Sequence, residues 1–183
     1  MLIIIYFMLF VIMLVVSTYT FFLVLSVATS FTVKVPFVAV KKNILPMIVA
    51  AMKIEQKSVI YDLGCGDGRV LLACYIKEPQ ASCIGFEKQL IPFWVARWRV
   101  RKTHIKILQG DFLKYNLSNA THVFVYLSSE LMDELLLKFK QELSLGTRVV
   151  SCDYQFSNKQ AIKIIDLKTV RGKLGKFLYV YEF

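Results

Sequence analysis

The first 33 residues show neither helical nor strand alternation, because nearly every position is apolar. From Met1 to Val33 there is no charged side chain, and only small, tyrosyl or hydroxyl-bearing residues interrupt the Leu, Ile, Val, Phe and Met. A hydrocarbon core about 30 Å thick needs roughly 20 apolar residues in a helix. The run therefore predicts one tilted transmembrane helix over residues 1–33. A cleaved signal peptide fits worse, since no basic n-region precedes the run and it is too long for an h-region. The first basic residues, Lys34, Lys41 and Lys42, all follow it. Positive charge favours the cytoplasmic side, which predicts a single-pass membrane protein whose domain faces the cytoplasm, or a matrix-equivalent compartment.

After Lys34 the pattern breaks into short units. Pro36 interrupts any continuous helix, so residues 34–42 read as a linker. Asn43 is placed to cap a helix with Pro46 in its first turn and Ile44, Met47, Ile48 and Ala51 on one face. Strands are then expected at Ser58–Leu63, Ser82–Glu87, Ile105–Gln109, Thr121–Leu127 and Thr147–Asp153. Helices alternate with them, at Arg69–Ile76, Pro92–Lys102 and from a Ser128 or Ser129 cap to Gly146. Two further strands, Ala161–Val170 and Lys176–Phe183, lack a helix-length gap between them and predict an antiparallel hairpin. The fold class is therefore α/β: a Rossmann-like, doubly wound, mostly parallel seven-stranded sheet over residues 43–183.

Charge adds a partner. The chain holds 23 Lys and Arg against 13 Asp and Glu, a net +10. Much of this lies in Arg97, Arg99, Arg101, Lys102 and in Lys168, Arg171, Lys173, Lys176, a basic surface suited to anionic headgroups, with nucleic acid as the rival reading and a merely solvated face as the bland one. Trp94 and Trp98 stand one turn apart beside Arg97 and Arg101; one reading rests them at headgroup level, but the expectation is that the indoles pack on the sheet while the guanidinium groups snorkel. Cys65, Cys74, Cys83 and Cys152 have no paired or metal-ligand spacing and read as small buried hydrophobes in a reduced compartment. His104 and His122 are isolated, and no metal site is expected.

The chemistry is concentrated at strand ends, where doubly wound folds bind ligands. Tyr61-Asp62-Leu63-Gly64-Cys65-Gly66-Asp67-Gly68-Arg69 is a strand, a glycine-rich turn and a helix start. A dinucleotide loop wants G-x-G-x-x-G; here Arg69 holds the third glycine position. Asp62 would repel a pyrophosphate, but suits a ligand with a cationic end. Backbone approach at Gly64, Cys65 and Gly66, with Asp62 toward an amino group, points to S-adenosyl-L-methionine as cofactor. Glu87 ends the second strand, where ribose hydroxyls are accepted. After the third strand, Asp111 is placed to accept from an adenine amino group and Phe112 to flank the ring.

With these residues in hand, the sequence resembles the seven-strand, class I methyltransferases. It is similar to their small membrane-anchored family, which includes mitochondrial lysine methyltransferases acting on the ATP synthase c-subunit and the adenine nucleotide translocase. The resemblance covers most of residues 34–183. It rests on the anchor, Val35-Pro36-Phe37-Val38, DLGCGDGR, GFE, GD and the stretch VFVYLSSELMDELLLKFKQELSLGTRVVS. Two departures bear on substrate: Lys88-Gln89-Leu90-Ile91-Pro92 stands where the family often has Asn-Pro, and Ala39 follows Val38 where Pro is usual. The resemblance implies that Pro36 and Phe37 help close the cofactor pocket. It also implies that Tyr126 lies where the acceptor approaches and that Glu130 orients a lysine ammonium.

The expectation is thus protein-lysine N-methylation of a membrane-associated protein. A methyltransferase for a lipid or other small apolar molecule is the enzymatic alternative. A non-catalytic membrane-tethered binding module is a third reading, against which the intact loop and three strand-end acids argue. No NPPY-type motif follows the fourth strand, which counts against nucleic-acid bases as acceptors.

Overall fold

Hydrophobic runs and turn residues place the elements of the computed structural model, which describes residues 2–30, 39–167 and 175–183. The chain divides into two compact units, Met1–Pro36 and Phe37–Phe183. The first holds helix α1 (Leu2–Ser30), whose Leu2–Val27 portion is long and apolar enough to cross a membrane. Its 29 residues would extend about 44 Å at 1.5 Å per residue. Pro36 and Phe37, the rest of the pre-domain motif, and the basic residues Lys168, Arg171 and Lys173 lie outside the described residues.

The second unit is a seven-stranded sheet. Its strands are β1 (Val59–Leu63), β2 (Ser82–Glu87), β3 (Lys106–Gln109), β4 (His122–Val125), β5 (Arg148–Cys152), β6 (Lys163–Asp166) and β7 (Phe177–Glu182), in spatial order β3-β2-β1-β4-β5-β7-β6. Strands β1 to β5 run parallel, and β7 is antiparallel to both β5 and β6. The seven-stranded, mostly parallel sheet with antiparallel C-terminal strands agrees with the sequence expectation. The strand order reverses at β1, which pairs with β2 on one side and β4 on the other. The crevice of a doubly wound sheet opens at such a point.

Alternation along the strands separates two cores. Ile60, Phe124, Val150 and Val180 face a cluster built with α2 (Leu45–Met52), α3 (Arg69–Lys77) and Val100 of α4 (Leu90–Val100). On the opposite face, Tyr181 stacks edge-on with Phe156, which meets Phe139 of α5 (Ser129–Glu142). That is the doubly wound arrangement, with helices on both faces.

Four local expectations change. The first domain helix is entered through a 3-10 turn, Lys42–Ile44, so Ile44 rather than Asn43 occupies the cap position of α2. Ile44 is fully buried, and its packing decides the boundary in place of a polar cap. Helix α5 ends at Glu142, four residues before Gly146, which forms the left-handed turn (φ +84°) into β5. Ser128 does stand at the cap of α5, but its hydroxyl donates to the Glu130 carboxylate at 2.7 Å. Finally, α4 begins two residues earlier than expected and buries Phe93, Ala96 and Val100. That stripe turns Trp94 and Trp98 outward, 56% and 67% exposed, so the indoles do not pack on the sheet.

Candidate active site

Strand β1 carries Asp62 to the carboxyl edge of the sheet, and the chain must then turn sharply into α3. Gly64, Gly66 and Gly68 all adopt left-handed φ (+78°, +56° and +74°), a region glycine enters without steric penalty. The turn is stitched to the end of β2. The amides of Gly64 and Cys65 both donate to the Phe86 carbonyl at 2.9 Å, and Gly66 N–H donates to Glu87 Oε2 at 2.8 Å. Those amides are spent within the protein, which leaves close approach of its backbone as what the turn can offer a ligand. Gly85 beneath it is required by space: a Cβ there would lie 2.7 Å from both Cys65 Sγ and Leu71 Cδ1.

The carboxylates at this edge differ in how they are held. Asp62 is 2% exposed, and its Oδ2 is the buried side-chain oxygen without a hydrogen-bond partner among the described residues. Burial pushes its carboxyl well up, and the nearby charges of Glu87 and Asp67 push it further. Glu87 is also buried and raised by desolvation, although its oxygens accept from Gln89 N–H and Gly66 N–H at 2.8 Å each. Asp111 caps the 3-10 turn Phe112–Lys114 through Leu113 N–H at 3.1 Å, and pairs with Lys88 at 3.2 Å. Phe112 beside it is buried. Gly110 N–H donates to the Glu87 carbonyl at 2.9 Å, which ties the β3 end to the β2 end. The structure thus brings Asp62, the turn and Glu87 together at the carboxyl edge of the sheet, with Asp111 at its β3 side.

On the β4 side, Tyr126 is half-buried and its hydroxyl donates to Asp153 Oδ2 at 3.1 Å. Burial, then Cys152 and Asp153, push the phenol up, so it stays neutral at physiological pH. Glu130 is exposed and bonded to Ser128. The thiol of Cys65 is buried and pushed up by desolvation, as are those of Cys74 and Cys152; Cys83 is pushed up to about 12. They are inert as nucleophiles.

Two arrangements were invisible in the sequence. The first is a clamp on Asp67. Arg69 Nε and Nη2 donate to its two oxygens at 2.8 and 2.6 Å, and Arg99 Nη2 donates to Oδ2 at 2.7 Å. Arg69 reaches on to the Val40 carbonyl, and Arg99 to the Asp67 carbonyl. Burial pushes the Asp67 carboxyl up, but the two guanidinium groups prevail and hold it below the usual range. Arg99 is therefore a structural tie of the loop to α4, and is withdrawn from the basic surface expected of it. The second is Asp153, at φ +63°, which accepts from the amides of Gly175, Lys176 and Phe177 as well as from Tyr126. The adjacent D-G-R in the loop hinted at the first, and nothing local hinted at the second.

A buried, unpartnered carboxylate oxygen beside a glycine turn fits the cationic ammonium end of S-adenosyl-L-methionine, and the β2 acid fits its ribose. Comparison with known proteins bears on the cofactor and the family. Residues 62–163 match the family model of the ANTKMT methyltransferase domain. The chain is 28% identical over 159 residues to a protein-lysine N-methyltransferase of Saccharolobus islandicus, covering 83% of this chain and 96% of that protein. It is 27% identical over 143 residues to the ATP synthase c-subunit lysine N-methyltransferase of Xenopus laevis, covering 70% of this chain. Of that vertebrate relative's own length the match spans 62%. Among solved structures, an RNA methyltransferase from Salinibacter ruber in complex with S-adenosyl-L-homocysteine has a TM-score of 0.73 at 26% identity, covering 79% of this chain and 93% of the other.

Proposed function

Because this chain belongs to the ANTKMT methyltransferase domain family, and so is an S-adenosyl-L-methionine-dependent methyltransferase, we propose that its acceptor is a lysine side chain of a membrane-associated protein. The observation that carries the acceptor is the likeness to the S. islandicus lysine methyltransferase along nearly its whole length. The membrane setting is supported by α1, and Lys34, Lys41 and Lys42 favour a catalytic unit on the cytoplasmic or matrix-equivalent side.

When bound, the cofactor supplies a methyl group on a sulfonium, a leaving group that needs no acid. What remains for the protein is positioning, which contributes many kcal/mol when reacting groups are held in line. Asp62 would accept from the cofactor's ammonium group, and Glu87 from its ribose hydroxyls. Asp111 and Phe112 would hold and flank the adenine, with Gly64, Cys65 and Gly66 as the floor. At the β4 side, the proton of the Tyr126 hydroxyl is committed to Asp153. Its oxygen would therefore act as acceptor, orienting an amine rather than deprotonating it. A lysine desolvated on entering the site loses its proton more readily, because desolvation disfavours the ammonium form. Glu130, exposed at the start of α5, would draw the ammonium in. Pro36 and Phe37 would close the pocket.

The test is to incubate the full-length protein with membranes and methyl-labelled cofactor. Label on lysine of a membrane protein, located by mass spectrometry, is expected; label confined to lipid or RNA would overturn the proposal.

A further inference from the structure

Helix α4 is apolar on both sides, and only one is used. Phe93, Ala96 and Val100 are buried. Ile91, Trp94, Val95 and Trp98 recur at the spacing of one helical face and stand 46%, 56%, 42% and 67% exposed. Among the described residues nothing covers them. Large aromatic side chains set together on a surface mark an interaction site.

The cations around this face show what kind. The Arg97 guanidinium lies 5.3 Å from the Trp94 ring centroid, and that of Arg101 lies 4.2 Å from Trp98. Arg101 also donates to the Trp98 carbonyl at 2.8 Å, which fixes it there. Between Glu87 and Asp111 the sequence has no acidic residue, while Arg97, Arg101, Lys102 and Lys106 all fall there; Arg99 and Lys88, in the same stretch, are engaged by Asp67 and Asp111. A protein partner of ordinary surface would meet this cationic ring with scattered carboxylates. A sheet of anionic headgroups over hydrocarbon meets indole and guanidinium at the same depth.

We propose that this face of α4 docks the catalytic unit on an anionic bilayer surface, with Trp94 and Trp98 at headgroup level and Arg97 and Arg101 on lipid phosphates. The inference deepens the membrane reading above and rests on it only for the presence of a bilayer. Leu90, the first residue of α4, is three residues past Glu87, so docking along this face sets the cofactor crevice beside the bilayer, where lysines of membrane proteins emerge.

The chain has only two tryptophans, both on this face, so its selectively excited tryptophan emission reports the face alone. The full-length protein is reconstituted into vesicles of equal parts phosphatidylcholine and phosphatidylglycerol, carrying bromine either near the headgroup or at the acyl-chain end. Expected are a blue-shifted emission relative to detergent and strong quenching by shallow bromine, weak by deep bromine. W94F and W98F, each leaving one reporter, should both show it. R97E/R101E should reduce the quenching, as should vesicles of phosphatidylcholine alone. Exposed-type emission without quenching overturns the proposal. So does a blue shift without quenching, which would mean that a second copy or another segment covers the face. Flotation with unquenched tryptophans sinks this inference and leaves the α1 anchor standing. Release by high salt, after quenching has been seen, sinks the anchor and leaves the docking face.

Discussion

Asp62 and Asp67 flank the same glycine turn, five residues apart, and are held in opposite ways. Asp67 receives the guanidinium groups of Arg69 and Arg99, and its carboxyl is held low. Asp62 is buried with one oxygen bare, and its carboxyl is pushed up. An acid clamped between two guanidinium groups, as Asp67 is, belongs to the scaffold. An acid buried without them is unfavourable to the empty fold, by roughly 1–3 kcal/mol for an unmade hydrogen bond, and is explained by a ligand that completes it. The contrast gives Asp67 to stability and supports the proposal that Asp62 meets the ligand.

Replacing each residue separates the two roles, and the largest effect is expected at Asp62. Asp62→Ala should weaken cofactor binding about 100-fold, the upper range for a hydrogen bond to a charged group, as read by calorimetry. Its melting temperature should match or exceed that of the parent. Asp67→Ala should do the reverse. It leaves two partly buried guanidinium groups short of acceptors, and should cost about 2 kcal/mol of stability by thermal or denaturant unfolding in detergent, with affinity changed less. If both variants lost affinity equally at unchanged stability, the contrast would be wrong.

A third replacement extends the comparison to the β4 edge. Asp153 is satisfied like Asp67 but sits at φ +63°, where Asn is tolerated and Ala is strained by roughly 1–2 kcal/mol. Asp153→Ala should therefore melt lower than Asp153→Asn. If Tyr126 orients the acceptor, both should reduce turnover while leaving cofactor affinity near that of the parent.

How far the sequence disclosed this follows from the range of the interactions. The α/β order, the strand count and the C-terminal hairpin are written in local apolar periodicity and in gap lengths, and all were legible. The strand-end acids were legible because the glycine turn marks the first and sheet topology places the others. The Asp67 clamp was not, because Arg99 comes from a helix 32 residues away and reads as one more surface charge. Asp153 was not, because its role depends on amides beyond residue 174. The outward tryptophans were missed because α4 is apolar on both sides, and such a pattern does not reveal which stripe is buried.

The smallest expected effect concerns stability against pH. Asp67 has a carboxyl lowered in the fold, so its contribution is present above the unfolded value near 4 and fades as pH falls through the lowered value. Asp62 has the opposite sign. Its raised carboxyl makes the fold bind more protons than the unfolded chain, so its share of stability declines as pH rises from about 4 through the raised value. Asp62→Asn should remove that decline, and Asp67→Asn should flatten the acid limb, both seen in melting temperature across pH.

The most direct test is proton release on cofactor binding. A carboxyl whose protonated form is favoured by burial must ionise to meet an ammonium group. Calorimetric titration of S-adenosyl-L-homocysteine, which carries the same ammonium end, should therefore release protons to buffer, below the raised Asp62 value, in amounts that grow as pH falls. Measured in buffers of different ionisation enthalpy, that release should be largely lost in Asp62→Asn. Equal affinity and equal proton release in parent and variant would contradict the assignment of Asp62 to the ligand.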